Sequence, residues 1–516
     1  MDIYCGIIVA TIITIIIYSV IKYSSSKTNL KCDIACVPGK LPFIGHNLPI
    51  ITMRSSFLYM FNIDFYHLFP NSSMMGYNNF SVPGIIVRDP KLIKQIMTTE
   101  FMNFSKNTSS LDHDLDPLLS INPFFTSGDQ WKKSRTILLN GLTSQKLKLI
   151  TLGISNVADE FTNYLEQLIT SSCSKSGAIT VNALELLSRF TAQVVAIGGF
   201  GINGKSFNTE QETETFESMV RPMLQPGSFY EFISIITFFF PFIARIMRVR
   251  FMPKKIYHYF VNIIKTVLEA RSSDNQSPNN DFIEKVSELC RNEETGKIDE
   301  VLVASHAASF FLDGYITSGV TLAFTAYQIA KHGEVQEKLR QHVLDILKKH
   351  DGKVTYQTLE DMKYMEQVIN ESMRLFPALG YLAKVCTKET KLVGSDGVEC
   401  CVKPGTEMII PVFGLHHDQK YWNNPELFDP ERFSPDNAGN INKFVFLPFG
   451  GGPRQCVGMR MAILQMKAAL AMLVKDYWIE VDRKTDEPLR VHKLSGLFTA
   501  PHSDIWIKVC KLKDRK

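Results

Sequence analysis

The stretch from Phe449 to Gly458 restricts what this chain can fold into more than any other, because it gathers four glycines, an arginine and a cysteine within ten residues. The consecutive glycines let a backbone pass close to a flat object, since they have no Cβ atom. Cys456 follows this turn, and a helical pattern that we expect from Val457 to Lys475 comes next. A helix N-terminus lowers the pKa of a thiol, so the position favours a thiolate that can bind a metal. A glycine-rich loop around an inert buried cysteine is the alternative interpretation.

The ten residues have the form F-G-x-G-x-R-x-C-x-G, which resembles the signature of the cytochrome P-450 family. The resemblance implies that the Cys456 thiolate is the axial ligand of haem b (iron protoporphyrin IX), in a loop shaped by Phe449, Gly450 and Gly458. Peptide N–H donors near a thiolate suit such a ligand. Arg454 carries a charged fork that can bind a haem propionate.

The composition predicts one large folded unit. The chain has 516 residues, 45% of them hydrophobic, and no linker-like stretch divides it after the N-terminal region. We expect a mostly α structure with a small β part, and the resemblance implies the cytochrome P-450 fold, a large helical domain plus a small β-rich region. The net charge of +4 and the lack of a basic run argue against a nucleic-acid partner. Ten cysteines without a CxxC pair predict that most are reduced, as in a cytosol-facing protein.

The N-terminal region predicts a membrane anchor. Residues Ile3–Ile21 are apolar or small, which is long enough for one transmembrane helix, and lysines follow them. No convincing cleavage site supports a removed signal peptide. We therefore expect an anchor at 1–22, a linker and proline hinge at 23–45, and the haem-binding catalytic domain at 46–516, facing the cytosol from the endoplasmic reticulum membrane (microsomal).

A second motif lies on a helix that we expect to begin near Ser127. Trp131 and Arg135 are four residues apart and share one helix face. Alone they would be read as a packing pair, but they match the W-x-x-x-R of the family, which implies that they bind a propionate. Lys384 stands where the family usually has an arginine for the same purpose. Lysine keeps the charge and loses the bidentate fork, which predicts slightly looser haem.

A long helix is expected from about Glu300 to His332. Its middle resembles the A-G-x-[DE]-T-[TS] motif of the family, with Gly314 leaving room for oxygen and Thr317 relaying protons. Ile316 replaces the usual acid, while Asp313 stands at the small-residue position. Either Asp313 supplies the acid from one turn away or proton delivery is weakened. An ordinary helical threonine is the alternative.

Two further motifs predict a buried structural triad. Glu371 and Arg374 are three residues apart on one helix face, which often indicates only a surface ion pair. Together with Arg432 they resemble the E-x-x-R and P-E-R-F motifs of the family, which implies a triad that fixes the haem-side core. The phenylalanine-rich region 229–253 predicts either a core helix or, because arginines follow it, a segment at a membrane interface. The resemblance implies the second, as a membrane contact that also roofs the substrate site.

The resemblance implies a monooxygenase that inserts one atom of O2 into a hydrophobic organic substrate. Electrons would come from NADPH through the flavoprotein NADPH-cytochrome P-450 reductase, with cytochrome b5 as a second candidate partner. Exposed lysines either steer the reductase or are ordinary solvated charges; they are Lys132, Lys133 and Lys443. The chain looks most like insect microsomal members of the clan that handles foreign compounds. A haem-thiolate isomerase or dehydratase, which Ile316 favours, and a non-catalytic haem-binding sensor are the alternatives.

Overall fold

The structure is a computed structural model that describes residues 32–172, 177–208, 215–221, 229–273, 281–292 and 294–512. Helices dominate it and ten short strands form three sheets, which confirms the expected mostly α structure with a small β part. The predicted anchor at 1–22 and the linker as far as residue 31 lie outside the described residues. Within the described ranges, no helix combines the length and the apolar character needed to cross a membrane.

The helices fall into long and short groups. Those of eight or more residues span Gly128–Gly141, Ser144–Ser171, Ala183–Val195, Phe229–Phe239, Lys254–Ser273, Phe282–Leu289, Glu300–Lys331, Gly333–Lys349, Lys363–Leu375 and Met459–Asp476. Shorter α-helical segments span Leu48–Ile51, Phe57–Tyr59, Pro90–Lys94, Phe216–Val220, Pro241–Met247, Tyr356–Asp361, Val412–His416 and Pro435–Ala438. Turns of 3-10 helix cover Phe101–Phe104, Pro430–Phe433 and Gly452–Arg454, and π-helical turns cover Met60–Asp64, Gln95–Thr99 and Ala196–Phe200.

The helix Glu300–Lys331, called the central helix below, organises the helical domain. The Asp299 side chain accepts the N–H of Leu302 and so caps its N-terminus. The helix is buried on nearly all sides, as expected for a helix that is apolar all round. It packs against Ala183–Val195 and Met459–Asp476, among others. The predicted bounds are confirmed to within one residue.

The strands form the smaller part of the fold. They are β1 Met74–Asn79, β2 Val82–Val87, β3 Lys106–Asn107, β4 Ala178–Asn182, β5 Leu382–Val385, β6 Thr390–Val393, β7 Glu399–Val402, β8 Glu407–Ile410, β9 Tyr477–Val481 and β10 Trp506–Lys511. The largest sheet has the order β1-β2-β8-β5-β3, in which only the β2–β8 pair is parallel. Its edge register places Lys384 of β5 opposite Asn107 of β3. Strands β4, β10 and β9 form a second sheet, and β6 and β7 form a hairpin.

The structure brings the three residues of the predicted triad together. Arg374 donates from Nε and Nη2 to the two carboxylate oxygens of Glu371 at 2.8 Å each, and both side chains are fully buried. Arg432 Nε lies 3.3 Å from Glu371 Oε1. The same glutamate oxygen accepts the N–H of Asp429, so the carboxylate anchors the loop between the two motifs.

The expectation that most cysteines are reduced is confirmed for the described residues, with one disulfide as the exception. Cys32 and Cys400 form a disulfide with their Cα atoms 4.9 Å apart, whereas six other described cysteines are free. The chain entering the domain lies beside the β6–β7 hairpin, which places the two side chains in contact across a sequence separation of 368 residues. Sequence spacing gives no sign of so distant a pairing.

Candidate active site

A tight turn positions Cys456. The Cys456 N–H donates to the Phe449 carbonyl at 3.0 Å and closes the loop between them. Gly450 and Gly452 have φ angles of 68° and 64°, which favour glycine. A Cβ atom on Gly452 would overlap the backbone carbonyl of Met97. The glycines are therefore required for close approach of two backbones as well as for the turn.

The helix after the cysteine begins later than predicted. It spans Met459–Asp476 with Gly458 as its N-cap, so Cys456 lies in the preceding turn. The prediction of a lowered thiol pKa is wrong for the protein alone. The pKa of Cys456 is raised to about 11, mainly by burial and to a smaller extent by the Asp313 carboxylate. The N–H of Gly458 and the charge of Arg135 oppose this rise. A metal that binds the sulfur removes the proton outright, so the raised pKa does not argue against a ligand role.

Arg454 connects the cysteine loop to a distant segment. Its Nε donates to the Ser105 carbonyl, Nη1 to Pro123 at 2.6 Å and Nη2 to Thr126 at 2.7 Å. The guanidinium also lies 4.7 Å from the centre of the Trp131 ring. Two of its five N–H groups remain for another acceptor. The arginine thus holds the segment 105–126 against the loop, a use that the motif did not predict.

Trp131 and Arg135 lie on the helix Gly128–Gly141, as expected. Trp131 is buried, and its Nε1 has no hydrogen-bond partner among the described residues. Arg135 Nη2 donates to the carbonyl of Gln455 at 2.8 Å, directly before the cysteine. Trp131 therefore offers a buried donor, whereas Arg135 supports the backbone of the loop.

Lys384 reaches the same region from the β-sheet. Its Nζ donates to Asn107 Oδ1 at 2.7 Å, and Asn107 Nδ2 donates in turn to the Phe124 carbonyl at 2.8 Å. Burial and, to a smaller extent, the charge of Arg454 lower the pKa of Lys384 to about 7. Burial and the charge of Arg135 likewise lower the pKa of Arg454 to about 10.

These residues fit a haem with its two propionates. Three partly or fully buried cations repel one another here, and no described acidic side chain forms an ion pair with any of them. A dianionic group would relieve that repulsion and would give the orphaned Trp131 Nε1 an acceptor. The Cys456 sulfur is accessible in the same region, so it would be free to bind the haem iron.

The central helix carries Asp313, Gly314 and Thr317, and the electrostatic interaction between Asp313 and Cys456 places the carboxylate on the side of the cysteine. The Asp313 carboxylate and the Cys456 thiol both remain accessible while protein surrounds them, and their charges interact. We call the space that these two side chains border the inner cleft. The Thr317 hydroxyl donates to the Asp313 backbone carbonyl at 2.7 Å. The Asp313 side chain instead accepts from Asn122 Nδ2 at 2.9 Å, so Thr317 and the Asp313 carboxylate are not hydrogen-bonded to each other.

A glutamine joins the two sides of the inner cleft. Gln465, on the helix that follows the cysteine, donates from Nε2 to the Gly314 carbonyl at 2.9 Å and to Ser318 Oγ at 2.7 Å. Its side chain is fully buried. No motif indicated Gln465, and only its position on one face of a helix after the cysteine could have suggested it.

His416 is a second residue that sequence reasoning missed. Two adjacent histidines, His416 and His417, are typical of a polar surface turn, but His416 is fully buried. Its Nδ1 donates to the Arg374 carbonyl at 3.2 Å and its Nε2 accepts the Leu447 N–H at 3.0 Å. Burial lowers the pKa of His416 to about 3, which keeps the ring neutral and able to accept. The imidazole therefore links the Glu371–Arg374 pair to the start of the cysteine loop.

A second cavity in the structure does not involve these residues. An open groove of about 1270 Å³ lies elsewhere, between His67, Lys331, Glu426 and Arg490, and none of the predicted site residues lines it. Among the described residues no cluster of three or more histidine, cysteine or acidic side chains could hold a metal ion. The chemistry is thus concentrated around the inner cleft.

Comparison with known proteins agrees with the fold and the motifs. The family model for cytochrome P-450 matches residues 37–507. The chain is 30% identical to cytochrome P-450 6j1 of Blattella germanica, with 87% of each chain covered, and 32% identical to probable cytochrome P-450 6a13 of Drosophila melanogaster, with 80% and 81% covered. It is 28% identical to cytochrome P-450 3A11 of Mus musculus, with 92% and 90% covered. The chain belongs to the cytochrome P-450 family of haem-thiolate monooxygenases.

Proposed function

We propose that this chain oxidises hydrophobic foreign or endogenous compounds at the cytosolic face of the endoplasmic reticulum membrane, with electrons from NADPH-cytochrome P-450 reductase. The single observation that carries the proposal is the inner cleft, which the Cys456 thiol and the Asp313 carboxylate border, with Thr317 one turn from Asp313 on the central helix. The similarity of the chain to the insect relatives and to cytochrome P-450 3A11 supports a substrate range of the same broad kind.

Each residue has a separate task in this proposal. Bound haem supplies the activation of O2 and the oxidation of a C–H bond. Cys456 would hold the iron and Trp131 and Lys384 would bind the propionates, while Arg454 holds the surrounding segment and would offer its two remaining N–H groups to the same carboxylates. Arg135 keeps the residue before the cysteine in place.

Proton delivery falls to the central helix. The Thr317 hydroxyl donates its hydrogen bond to the Asp313 carbonyl, so its Oγ1 can accept a hydrogen bond from water. Position 316 carries isoleucine instead of an acid, so the titratable group is the Asp313 carboxyl, one turn before Thr317. Burial raises the pKa of Asp313 to about 6. A pKa near neutrality suits a group that gives and takes protons.

The structure of the phenylalanine-rich region supports both packing in the interior and contact with a membrane. It forms the helices Phe229–Phe239 and Pro241–Met247. On the inner side, Phe238 is 4% exposed and its ring lies 5.2 Å from that of Phe125. On the outer side, Phe242 is 73% exposed and Ile246 is 67% exposed. A wall towards the substrate and an apolar face towards lipid account for this two-sided pattern.

The surface near the cysteine loop supports reductase docking. Lys132, Lys133 and Lys443 are all exposed. Lys132 is 3.1 Å from Asp129 in a solvated pair, which leaves its charge available to an acidic partner. In the proposed arrangement an anchor at 1–22 and a hinge at 23–45 hold domain 46–516 so that this surface faces the cytosol.

One observation favours a second candidate. Ile316 is buried and apolar, and the Asp313 carboxylate is hydrogen-bonded to Asn122 rather than to Thr317. A haem-thiolate isomerase or dehydratase, which rearranges peroxides without external electrons, would not need an aligned acid. Turnover without NADPH or reductase would identify that activity.

The test is reconstitution of the full chain with reductase in lipid vesicles. We expect the reduced carbon-monoxide complex to show the red-shifted Soret band of thiolate ligation, and NADPH-dependent oxidation of hydrophobic substrates. Cys456→Ser should abolish both, whereas Cys290→Ala, which changes a buried free cysteine elsewhere, should keep both. Retention of the thiolate spectrum and activity in Cys456→Ser would contradict the proposal.

A further inference from the structure

The Asp313 carboxylate is unusual in its setting. It belongs to the central helix, where the neighbours Leu312, Tyr315 and Ile316 are buried, yet its own side chain is accessible in the inner cleft. A carboxylate among apolar groups loses hydration, so it interacts strongly with any charge that comes close. The position therefore places one concentrated negative charge beside the proposed reaction centre.

Asn122 holds this carboxylate in one orientation. Its Nδ2 donates to Asp313 Oδ2 at 2.9 Å, and its Oδ1 accepts the Phe124 N–H at 2.7 Å. The Asn122 carbonyl accepts the N–H of Phe125 at 2.9 Å, so the amide belongs to a hydrogen-bonded turn. Asn122 is 3% exposed. The pair is thus a preorganised acceptor rather than a solvated surface group.

No described cation neutralises the carboxylate. No lysine, arginine or histidine of the described residues forms an ion pair with Asp313, and no cation is among the causes that shift its pKa. Burial raises the pKa of Asp313 to about 6, while the hydrogen bond from Asn122 opposes this rise. An approaching cation would stabilise the ionised form further.

The adjacent surface is aromatic. The rings of Phe124 and Phe125 lie 5.1 Å apart, edge to face, and both are half-buried. Phe125 continues to Phe238 of the phenylalanine-rich region. Such rings bind an apolar body and also attract a cation over their faces.

We propose that the preferred substrates of this chain are lipophilic amines, whose ammonium group binds the Asp313 carboxylate while the apolar part packs on the phenylalanines. The inference rests on the proposed function, because it names the substrate class of the same cleft. The bound ammonium would place the carbon atoms next to nitrogen close to the Cys456 side of the cleft.

The experiment uses the reconstituted holoenzyme and two probes of one shape. One probe is a phenylalkyl trimethylammonium ion, and the other is its uncharged tert-butyl isostere. The quaternary nitrogen has no lone pair, so it cannot bind iron directly. Equilibrium dialysis measures both dissociation constants, which makes the readout independent of catalysis. Asp313→Asn retains the shape and the contact with Asn122, and Asp114→Asn, which removes an exposed carboxylate paired with Arg245, is the matched control.

We expect the native protein to bind the charged probe at least about tenfold more tightly than Asp313→Asn does, because the variant removes one desolvated charge partner. The uncharged probe should bind both proteins alike, and Asp114→Asn should behave as the native protein. An equal affinity of native protein and Asp313→Asn for the charged probe would overturn the inference. Failure of the proposed function would appear separately, as loss of reductase-dependent oxidation of uncharged substrates.

Discussion

The Arg454 guanidinium lies 4.7 Å from the centre of the Trp131 ring while its N–H groups bind three backbone carbonyls of the segment 105–126. The stacked pair joins the cysteine loop to the helix Gly128–Gly141. Both the charge and the planar shape of the arginine are used, because a compact ammonium cannot donate in three directions at once along one plane.

Arg454→Lys should therefore weaken haem retention. Loss of two or more charge-assisted hydrogen bonds to buried carbonyls costs about 2–5 kcal/mol. Haem content after gel filtration and the free energy of unfolding in denaturant measure the effect. Arg460→Lys is the control, since Arg460 is exposed and bonds only hydroxyl groups in the contacts described. Equal haem retention in the two variants would contradict the role given to Arg454.

Glu371→Gln should destabilise the fold strongly. The change leaves the fully buried Arg374 without its counter-charge, and breaking a buried pair in this way costs about 3–5 kcal/mol. Glu337→Gln provides a comparison, because its pair with Arg340 lies at the surface and such pairs contribute about 0–1 kcal/mol. Denaturant unfolding of both variants gives the difference, and similar small effects would show that the triad is dispensable.

Thr317→Val should uncouple the consumption of NADPH from the formation of product. The isosteric change removes the hydroxyl next to the inner cleft, so we expect at least about a tenfold fall in product formed per NADPH consumed. Thr321→Val, on the same helix, also removes a hydroxyl bonded to a backbone carbonyl, but Thr321 is buried. That variant should keep its coupling. The same loss in both variants would indicate a packing effect.

Stability should fall in mild acid. Burial lowers the pKa of His306 and of His416 to about 4 and about 3, so the unfolded chain binds their protons first. Their contribution to the free energy of unfolding is present above pH 6.5 and is lost as the pH falls from about 6.5 towards 4, by about 1–2 kcal/mol for each at pH 5. His306→Leu should reduce the dependence on pH, measured by denaturant unfolding between pH 5 and 8. An unchanged dependence would exclude His306 as a source.

Local patterns predicted the parts of the site that depend on local geometry. The cysteine loop, the Trp131–Arg135 face and the bounds of the central helix all follow from turn chemistry and helical spacing within a few residues. Helical spacing alone indicated only a surface ion pair for Glu371 and Arg374, and it was the resemblance to the family that predicted the triad with Arg432, which the structure brings together.

Contacts between distant segments escaped prediction. Asn122 and Asp313 are 191 residues apart, and Arg454 and Ser105 are 349 residues apart. Nothing in either local pattern specifies which carbonyl or amide lies opposite after folding. Burial of His416 and the raised pKa of Cys456 were missed for the same reason, since both depend on what packs around the group.

The two hydrogen bonds from Gln465 have a mechanical consequence. They join the helix that carries the sulfur-bearing turn at its start to the middle of the helix that carries Thr317. A fully buried side chain therefore ties together the helix after Cys456 and the helix that carries Thr317. We expect a displacement of one helix to be passed to the other, because the two share these hydrogen bonds.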